Sequence, residues 1–194
     1  MARKRVAILI SGRGSNMIAL IEAAADPAFP AEIVLVVSNR PDAPGLGRAT
    51  EHGIATTVID HKRFESREAF ERTLDGALQA AQIELVCLAG FMRVLTPWFL
   101  SRWPRRVINI HPALLPAFPG LDTHARALAA GAKEHGATVH FVVPEVDAGP
   151  ISAQGSVPVE AGDTEATLAA RVLTIEHRIY PQALRAVAEG RAKA

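Results

Sequence analysis

Six short stretches rich in apolar and β-branched residues recur along the chain, separated by polar and glycine-containing segments. They cover residues 6–10, 33–37, 55–59, 85–89, 107–110 and 136–143. Most are continuous apolar runs, a pattern typical of strands that are buried on both faces of a parallel sheet. The pattern therefore predicts a sheet whose strands lie mostly in the protein interior.

Segments with helical composition separate these strands. Helices are expected over residues 17–24, over residues 67–80 after Ser66, from Thr96 onward, and from Asp163 or Thr164 onward. Serine, threonine and aspartate are favoured at helix N-caps because their oxygens accept backbone N–H groups of the first turn. Residues 43–53 contain glycines and predict only a poor helix. Pro181 is expected to kink or end the last helix, because proline has no backbone donor.

The alternation of strands and helices predicts an α/β fold. Right-handed crossovers between successive strands give a doubly wound, mostly parallel sheet with helices on both faces. Residues 151–159 predict an antiparallel edge strand, a position in which Pro158 is tolerated. The 194 residues contain no internal repeat or linker and suit a single domain over residues 1–194.

Composition limits the classes of function. Hydrophobic residues make up 49% and charged residues 21%, and no apolar run approaches the ~18 residues of a membrane-spanning helix. The net charge of +1 gives no general attraction to nucleic acid or to an acidic membrane, so neither is an expected partner. We interpret the single cysteine, Cys87, as a core residue rather than a nucleophile, in a reducing, cytoplasmic setting.

A glycine turn at residues 11–16 (Ser-Gly-Arg-Gly-Ser-Asn) joins the first strand to the first helix. A helix N-terminus presents free N–H groups to an anion, Gly14 permits close backbone approach, and Ser15 and Asn16 add side-chain donors. Met17 stands where a dinucleotide-binding turn would have its third glycine, so a single phosphate is favoured. A tight turn that binds no ligand is the alternative.

Two polar residues, Asn109 and His111, occupy the end of the fifth strand. They are two positions apart and project to the same side if the strand is extended, and Pro112 should end the sheet pairing. An amide and an imidazole would then face one volume, the alternative being a buried histidine with local hydrogen bonds.

Residues 91–95 follow the fourth strand and predict an apolar wall with one cation, Arg93, for a flat ligand.

Asp147 lies in a turn-rich loop after the sixth strand, which we expect to bring it to the same edge of the sheet as His111. A carboxylate beside an imidazole favours the protonated ring, which could act as an acid and stabilise an oxyanion. With Asn109 holding a carbonyl oxygen, this set suits acyl transfer to an amine. No serine or cysteine nucleophile accompanies it, so direct attack by a bound amine is favoured. The histidines lack metal-ligand spacing, and no metal is expected.

The motifs also resemble those of a known family. In order they are residues 11–16, Phe-Met-Arg-Val-Leu at 91–95, Asn-Ile-His-Pro at 109–112, Leu-Leu-Pro-Ala-Phe-Pro-Gly at 114–120, residues 136–141, Asp-Ala-Gly-Pro at 147–150 and Glu-His-Arg-Ile-Tyr-Pro at 176–181. Together they resemble the phosphoribosylglycinamide formyltransferase family over nearly the whole chain. The resemblance implies a Rossmann-like formyltransferase fold. The implied reaction transfers a formyl group from the cosubstrate 10-formyltetrahydrofolate to the amino group of glycinamide ribonucleotide, in de novo purine biosynthesis.

The resemblance also implies roles for matching positions. Asn109 would polarise the formyl carbonyl, His111 would act as general acid and oxyanion stabiliser, and Asp147 would keep His111 protonated. The substrate-binding set is Gly14, Ser15, Asn16 and Glu176. The folate-binding set is Arg67, Met92, Arg93, Val94, Leu95, Asn109, Val143, Pro144, Glu145, Val146 and Asp147. The supporting residues are Thr138 and His140.

One position departs from the family pattern, and three other functions stay open. Asp122 stands where the family leads us to expect a basic residue or histidine. Formyltetrahydrofolate hydrolase and methionyl-tRNA formyltransferase are related enzymes, but the extra domains they usually carry are not found in this sequence. A non-catalytic module that binds a phosphate-bearing ligand would keep the Gly14 turn without needing Asn109, His111 and Asp147 together. The expected partners are small molecules, and a homodimer is compatible with the sequence.

Overall fold

A seven-stranded sheet forms the centre of the computed structural model, which describes residues 2–192. The strands are β1 (Lys4–Ile10), β2 (Ala31–Ser38), β3 (Ala55–Val58), β4 (Leu85–Leu88), β5 (Val107–His111), β6 (Glu134–Phe141) and β7 (Ile151–Pro158). They lie in the order β3-β2-β1-β4-β5-β6-β7. The first five run parallel to one another. The predicted α/β class with a mostly parallel sheet is confirmed.

The sheet reverses direction at β6. This strand pairs antiparallel with β5, and β7 in turn pairs antiparallel with β6, as was predicted for the edge strand. The carboxyl end of β6 therefore lies beside the start of β5, and the expectation that Asp147 follows a strand end at the ligand edge is wrong. The physical reason is that the chain between β5 and β6 returns at the same edge, so β6 enters the sheet in the opposite direction.

Six α-helices cover the sheet. They are α1 (Ser15–Ala24), α2 (Gly45–Glu51), α3 (Arg67–Ala80), α4 (Pro97–Arg102), α5 (Thr123–Ala129) and α6 (Glu165–Ala188). The predicted caps at Ser66 and Thr96 are confirmed, because each side chain accepts a hydrogen bond from the first turn. Of the two candidates for α6, Thr164 is the cap, while Asp163 accepts hydrogen bonds from Arg171.

The last helix does not end at Pro181 but continues to Ala188. Proline removes a single backbone hydrogen bond, whereas Tyr180, Ala183 and Leu184 on either side of it are fully or almost fully buried. Burial of these side chains stabilises the helix on both sides of the proline. The expectation that Pro181 ends the helix is therefore wrong.

The core has two layers, one on each face of the sheet. Val6, Ile8 and Ile10 of β1 pack with α1 and α6, and Ala7 and Leu9 pack on the opposite face with α3 and α4. Successive side chains of a strand point to opposite faces, so a continuous apolar run is what a sheet covered on both sides requires.

Tyr180 and Cys87 tie α6 to the middle of the sheet. The Tyr180 hydroxyl lies 2.9 Å from the carbonyl oxygen of Leu88 and 3.2 Å from that of Ile108, in adjacent strands. Burial raises the pKa of the Cys87 thiol to about 12, as expected of a core residue rather than a nucleophile.

None of the helices between residues 2 and 192 combines the length and apolar character needed to cross a membrane.

Gly136 should be essential for the pairing of β6 with β7. A Cβ atom at this position would lie 2.0 Å from the carbonyl oxygen of Gly155 and 2.9 Å from the Cα of Ser156, and backbone atoms cannot move aside easily. We expect Gly136→Ala to lower the free energy of unfolding by about 3 kcal/mol, measured by urea denaturation.

Gly76→Ala is the matched control for that substitution. Gly76 lies on the exposed side of α3, and a Cβ atom there would have no neighbour within 4 Å. Alanine should stabilise the protein by about 0.5–1 kcal/mol, because it favours the helix over the unfolded chain. Equal effects of the two substitutions would contradict the steric explanation.

Candidate active site

A cavity of about 720 Å³ opens at the carboxyl ends of the central parallel strands. Asn16 follows β1, residues 90–95 follow β4, and Asn109 and His111 lie in β5. The three stretches that the sequence placed at strand ends therefore meet around one volume. Because β6 runs the other way, the loop at residues 142–150 has to fold back to reach the same place. Gly149 permits this, since a Cβ atom there would lie 1.8 Å from the Phe141 carbonyl oxygen.

Both polar residues of β5 face the cavity. Sheet pairing ends at His111, which lies opposite Thr138, and Asn109 lies opposite His140. The side-chain amide nitrogen of Asn109 is 3.3 Å from Nε2 of His140. The strand therefore presents an amide and an imidazole to one volume, as their spacing predicted.

Each ring nitrogen of His111 faces a hydrogen-bond acceptor. Nε2 lies 2.9 Å from the carbonyl oxygen of Phe118, and Nδ1 lies 3.4 Å from Oδ2 of Asp147. Carbonyl and carboxylate oxygens can only accept, whereas a neutral imidazole has a single N–H. The surroundings of His111, which is 6% exposed, therefore suit an imidazolium that donates in both directions.

Asp147 lies between two histidines. In addition to the contact with His111, its Oδ1 is 3.5 Å from Nε2 of His140, and its Oδ2 accepts the N–H of Gly120 at 2.9 Å. Burial acts to raise the pKa of Asp147, but the hydrogen bonds from His140 and Gly120 and the charges of the two imidazoles outweigh it and lower the pKa. The carboxylate is therefore stabilised in its charged form, within reach of His111.

Thr138 and His140 support this arrangement from β6. The Thr138 hydroxyl donates to the Ala113 carbonyl at 2.7 Å and accepts the N–H of Leu115 at 3.1 Å, which fixes the chain directly after His111. Nδ1 of His140 lies 3.0 Å from the Phe141 carbonyl oxygen, which can only accept, so Nδ1 donates there. His140 also lines the cavity, whereas Thr138 lies behind it.

The start of α1 has the features of an anion site. Its N-cap is Gly14, with φ of 71°, and no side chain caps the helix, so the first-turn N–H groups have no side-chain acceptor. Asn16 donates from its amide to Glu176 at 2.5 Å, and both residues line the cavity. Gly14 and Ser15 do not line it; Ser15 opens onto a neighbouring groove that also contains Arg48.

The predicted folate wall lies on two segments that face each other across the cavity. Met92, Arg93, Val94 and Leu95 form one side, and Val143, Pro144, Val146 and Asp147 form the other. Met92 and Val146 are 66% and 55% exposed, which is unusual for large apolar side chains and is typical of a binding site for an apolar ligand.

Two residues of the predicted folate set lie outside the cavity. Glu145 is exposed, and neither it nor Arg67 lines the cavity. Arg67 is close enough to Arg93 for its charge to act there. Partial burial and the Arg67 charge lower the pKa of Arg93, whose Nε has no hydrogen-bond partner. Arg67 therefore lies near the cavity wall without lining the cavity.

The loop between β5 and α5 contributes two backbone contacts that the sequence did not identify. Phe118 and Gly120 act through backbone groups, on His111 and Asp147 respectively. Asp122, with φ of 55°, and His124 line the cavity. No side-chain pattern at residues 116–120 signals a contact made by a backbone carbonyl or N–H. Between residues 2 and 192, no group of three or more His, Cys, Asp or Glu side chains is placed to hold a metal ion.

Comparison with known proteins gives one consistent result. Residues 4–184 match the family described as formyl transferase. The chain is 47% identical to phosphoribosylglycinamide formyltransferase of Escherichia coli, over 97% of this chain and 89% of that protein. Its sequence is 54% identical to that of phosphoribosylglycinamide formyltransferase from Brucella melitensis. The crystal structure of that protein matches this fold with a TM-score of 0.93 over 99% of both chains.

Some relatives are much longer. The chain is 50% identical to the trifunctional purine biosynthetic protein adenosine-3 of Gallus gallus over 96% of its own length, but it spans only 18% of that protein. The similarity to these relatives therefore concerns one segment of each of them.

The buried carboxyl of Glu176 should make the stability of the folded protein depend on pH. Burial raises its pKa, so the folded protein holds this proton to a higher pH than the unfolded chain does, and stability is lost as the pH rises through the folded-state pKa. Glu176→Gln removes that loss and keeps an oxygen for Asn16. The variant should be more stable than the wild-type protein at about pH 8, and the difference should vanish below about pH 4.

Chemical denaturation at both pH values measures this difference. Glu145→Gln is the control, because Glu145 is exposed and its substitution should not change stability at either pH. A Glu176→Gln variant that is less stable than the wild-type protein at the higher pH would contradict the burial argument.

Proposed function

This chain belongs to the formyl transferase family, and we propose that it transfers a formyl group from 10-formyltetrahydrofolate to the amino group of glycinamide ribonucleotide, in de novo purine biosynthesis. The single observation that carries the proposal is the position of His111. It lies between the Asp147 carboxylate and the Phe118 carbonyl, beside Asn109, in a cavity that Asn16 and Glu176 close on the substrate side. The name of the E. coli relative supports the choice of substrate.

The two walls of the cavity suit the formyl donor. A pterin ring is flat and largely apolar with polar edges, and the exposed side chains of Met92 and Val146 on facing walls offer the apolar contacts that it needs. Arg93 lines the same cavity and supplies a cation suited to an acceptor edge or a carboxylate. A ring bound between these walls directs its formyl group toward Asn109 and His111.

The start of α1 suits the amine substrate. A phosphate group would take the N–H groups of the first turn, which have no side-chain acceptor, with Ser15 adding a hydroxyl. Asn16, in the first turn of α1, and its partner Glu176 line the cavity together with His111, and the ribose and glycinamide portions would pass along them. The substrate would then extend from Gly14 toward His111 with its amine leading.

The proposed reaction is a direct attack. The amine nitrogen forms a bond to the formyl carbon, and the carbonyl electrons move onto its oxygen. Asn109 and His111 stabilise that oxyanion by donating hydrogen bonds, which are worth most in a cavity that excludes water. The C–N bond to the folate then breaks, the folate nitrogen takes up a proton, and the former amine gives one up, so formylated substrate and tetrahydrofolate leave.

His111 has to release one of its two acceptors to take part. The Asp147 carboxylate is charged and is held by Gly120, whereas the Phe118 carbonyl is neutral and belongs to a loop. We therefore assign Nε2–H, which now donates to Phe118, as the donor to the formyl oxygen. Asp147 retains Nδ1–H and stabilises the protonated ring throughout.

Two alternatives predict different products. A formyltetrahydrofolate hydrolase would use water in place of the amine at the same carbon, and a non-catalytic module would bind the phosphate-bearing ligand without turnover. The Asn16–Glu176 pair beside the first turn of α1 favours a second organic substrate over water.

A cytoplasmic location is consistent with the buried, unpaired thiol of Cys87.

The direct test is an assay of the purified protein with 10-formyltetrahydrofolate, in the presence and in the absence of glycinamide ribonucleotide. We expect tetrahydrofolate to form only when the amine is present, together with an equal amount of formylated amine. Equal release of formate without the amine would instead support the hydrolase. Binding without turnover would support the module.

His111→Ala should abolish turnover while leaving binding intact. Loss of the proton donor and oxyanion partner should lower kcat by about 10²–10⁴-fold, with the affinity for the amine substrate nearly unchanged, because the anion site lies on α1. Calorimetric titration and steady-state kinetics measure the two effects.

His52→Ala provides the control for that substitution. His52 is exposed directly after α2 and does not line the cavity, and its ring bonds to the Arg48 carbonyl, so kcat should be unchanged. Retention of full activity by His111→Ala would exclude the proposed mechanism.

A further inference from the structure

The wall of the cavity at residues 90–95 has no regular secondary structure, yet it carries four of the residues proposed to hold the folate. Its far end is fixed by Glu71, which is fully buried and accepts hydrogen bonds from the N–H of Thr96, at 2.7 Å, and from the Thr96 hydroxyl. A wall fixed at one end only would lose conformational entropy whenever it ordered around a ligand. The near end therefore needs an anchor as well.

Ser11, directly after β1, provides the second anchor. Its N–H donates to the Gly90 carbonyl at 3.1 Å, and its hydroxyl oxygen accepts the N–H of Met92 at 2.8 Å. The two bonds lie on either side of Phe91 and fix the direction in which the wall leaves β4. Ser11 is 6% exposed and does not line the cavity, so it reaches a ligand only through the wall.

The Ser11 hydroxyl is held in turn by a row of polar contacts. It donates to Oδ1 of Asn39 at 2.6 Å, and Nδ1 of His61 lies 2.9 Å from the Asn39 carbonyl oxygen, to which it donates. Asn39 is 2% exposed, so its hydrogen bonds do not compete with water. His61, Asn39, Ser11 and Met92 follow β3, β2, β1 and β4, which is the order of these strands in the sheet. The row therefore crosses the carboxyl edge of the sheet and ends at the wall.

We infer that Ser11 is a positioning residue for the formyl donor, an inference that rests on the proposed function. Its hydroxyl holds the Met92 N–H and thereby sets the place of Met92 and Arg93 before the donor binds. The Ser11 hydroxyl bonds to the donor wall and to Asn39 but to no other residue of the glycine turn at residues 11–16, of which Ser11 is the first. Loss of the hydroxyl should therefore weaken binding of the donor and leave binding of the amine unchanged.

Ser38 offers a matched control. It is a serine at the end of the neighbouring strand β2 and is fully buried, and its hydroxyl also donates once, to the Arg40 carbonyl, and accepts once, from the Arg40 N–H. Both of its bonds stay within residues 38–40, away from the wall. Ser11→Ala and Ser38→Ala should thus cost similar amounts of stability, and only the first should affect the donor.

Steady-state kinetics with each substrate varied separately tests the inference. We expect Ser11→Ala to raise the KM for 10-formyltetrahydrofolate about tenfold, since the Met92 N–H and the buried Oδ1 of Asn39 both lose their partner. The KM for glycinamide ribonucleotide and kcat should stay close to wild-type values. Ser11→Thr, which keeps the hydroxyl, should restore the donor KM, and Ser38→Ala should leave it unchanged. If Ser11→Ala is too unstable to assay, Ser11→Cys, with its weak acceptor, replaces it.

Calorimetric titration of a non-reactive folate, without the amine, gives a readout that is independent of turnover. A tenfold weaker affinity in Ser11→Ala alone would support the inference. A donor KM or folate affinity equal to that of Ser38→Ala, or a parallel rise of both KM values, would overturn it while leaving the proposed function intact. A wild-type protein that neither binds folate nor transfers formyl would overturn both.

Discussion

A carboxylate with a 10% exposed side chain has to be surrounded by donors to stay charged, and Asp147 meets this constraint by lying between His111 and His140 with the N–H of Gly120 on one oxygen. The rest of the site follows from that requirement. β5 has to present His111, β6 has to run antiparallel so that His140 lies beside Asn109, and the loop between β6 and β7 has to fold back. The chain that follows β5 has to bring the N–H of Gly120 to Asp147.

The two ends of the cavity are built on different principles. At the substrate end, a helix N-terminus without a side-chain cap provides binding groups from the backbone, and the buried pair of Asn16 and Glu176 adds direction. At the donor end, an irregular wall fixed at Ser11 and Glu71 presents apolar side chains to the solvent. Backbone donors suit a phosphate, whereas a rigid apolar wall suits a flat ring, so in the proposed function the two ligands bind apart and meet only at His111.

Several elements could be predicted because their physical cause is local. The buried strands follow from continuous apolar runs, the helix starts from Ser66 and Thr96, and the meeting of Asn16, Asn109 and residues 90–95 from the rule that parallel strands end at one edge. The predictions that were wrong needed non-local information. Burial of Ala183 and Leu184 carries α6 past Pro181, and the return of the chain after β5 reverses β6.

The sequence by itself determined the fold class, the strand ends on which the functional residues lie, and the residue types available for acyl transfer, because these depend on periodicity, on backbone chemistry and on side-chain chemistry. Only the tertiary structure decided which groups meet. Some of these contacts join residues far apart in the chain, such as Asp147 with His111 and the row from His61 to Met92. Others act through the backbone, such as those of the Phe118 carbonyl and the Gly120 N–H. Such contacts leave no periodic signal, since they depend on how loops close over a sheet.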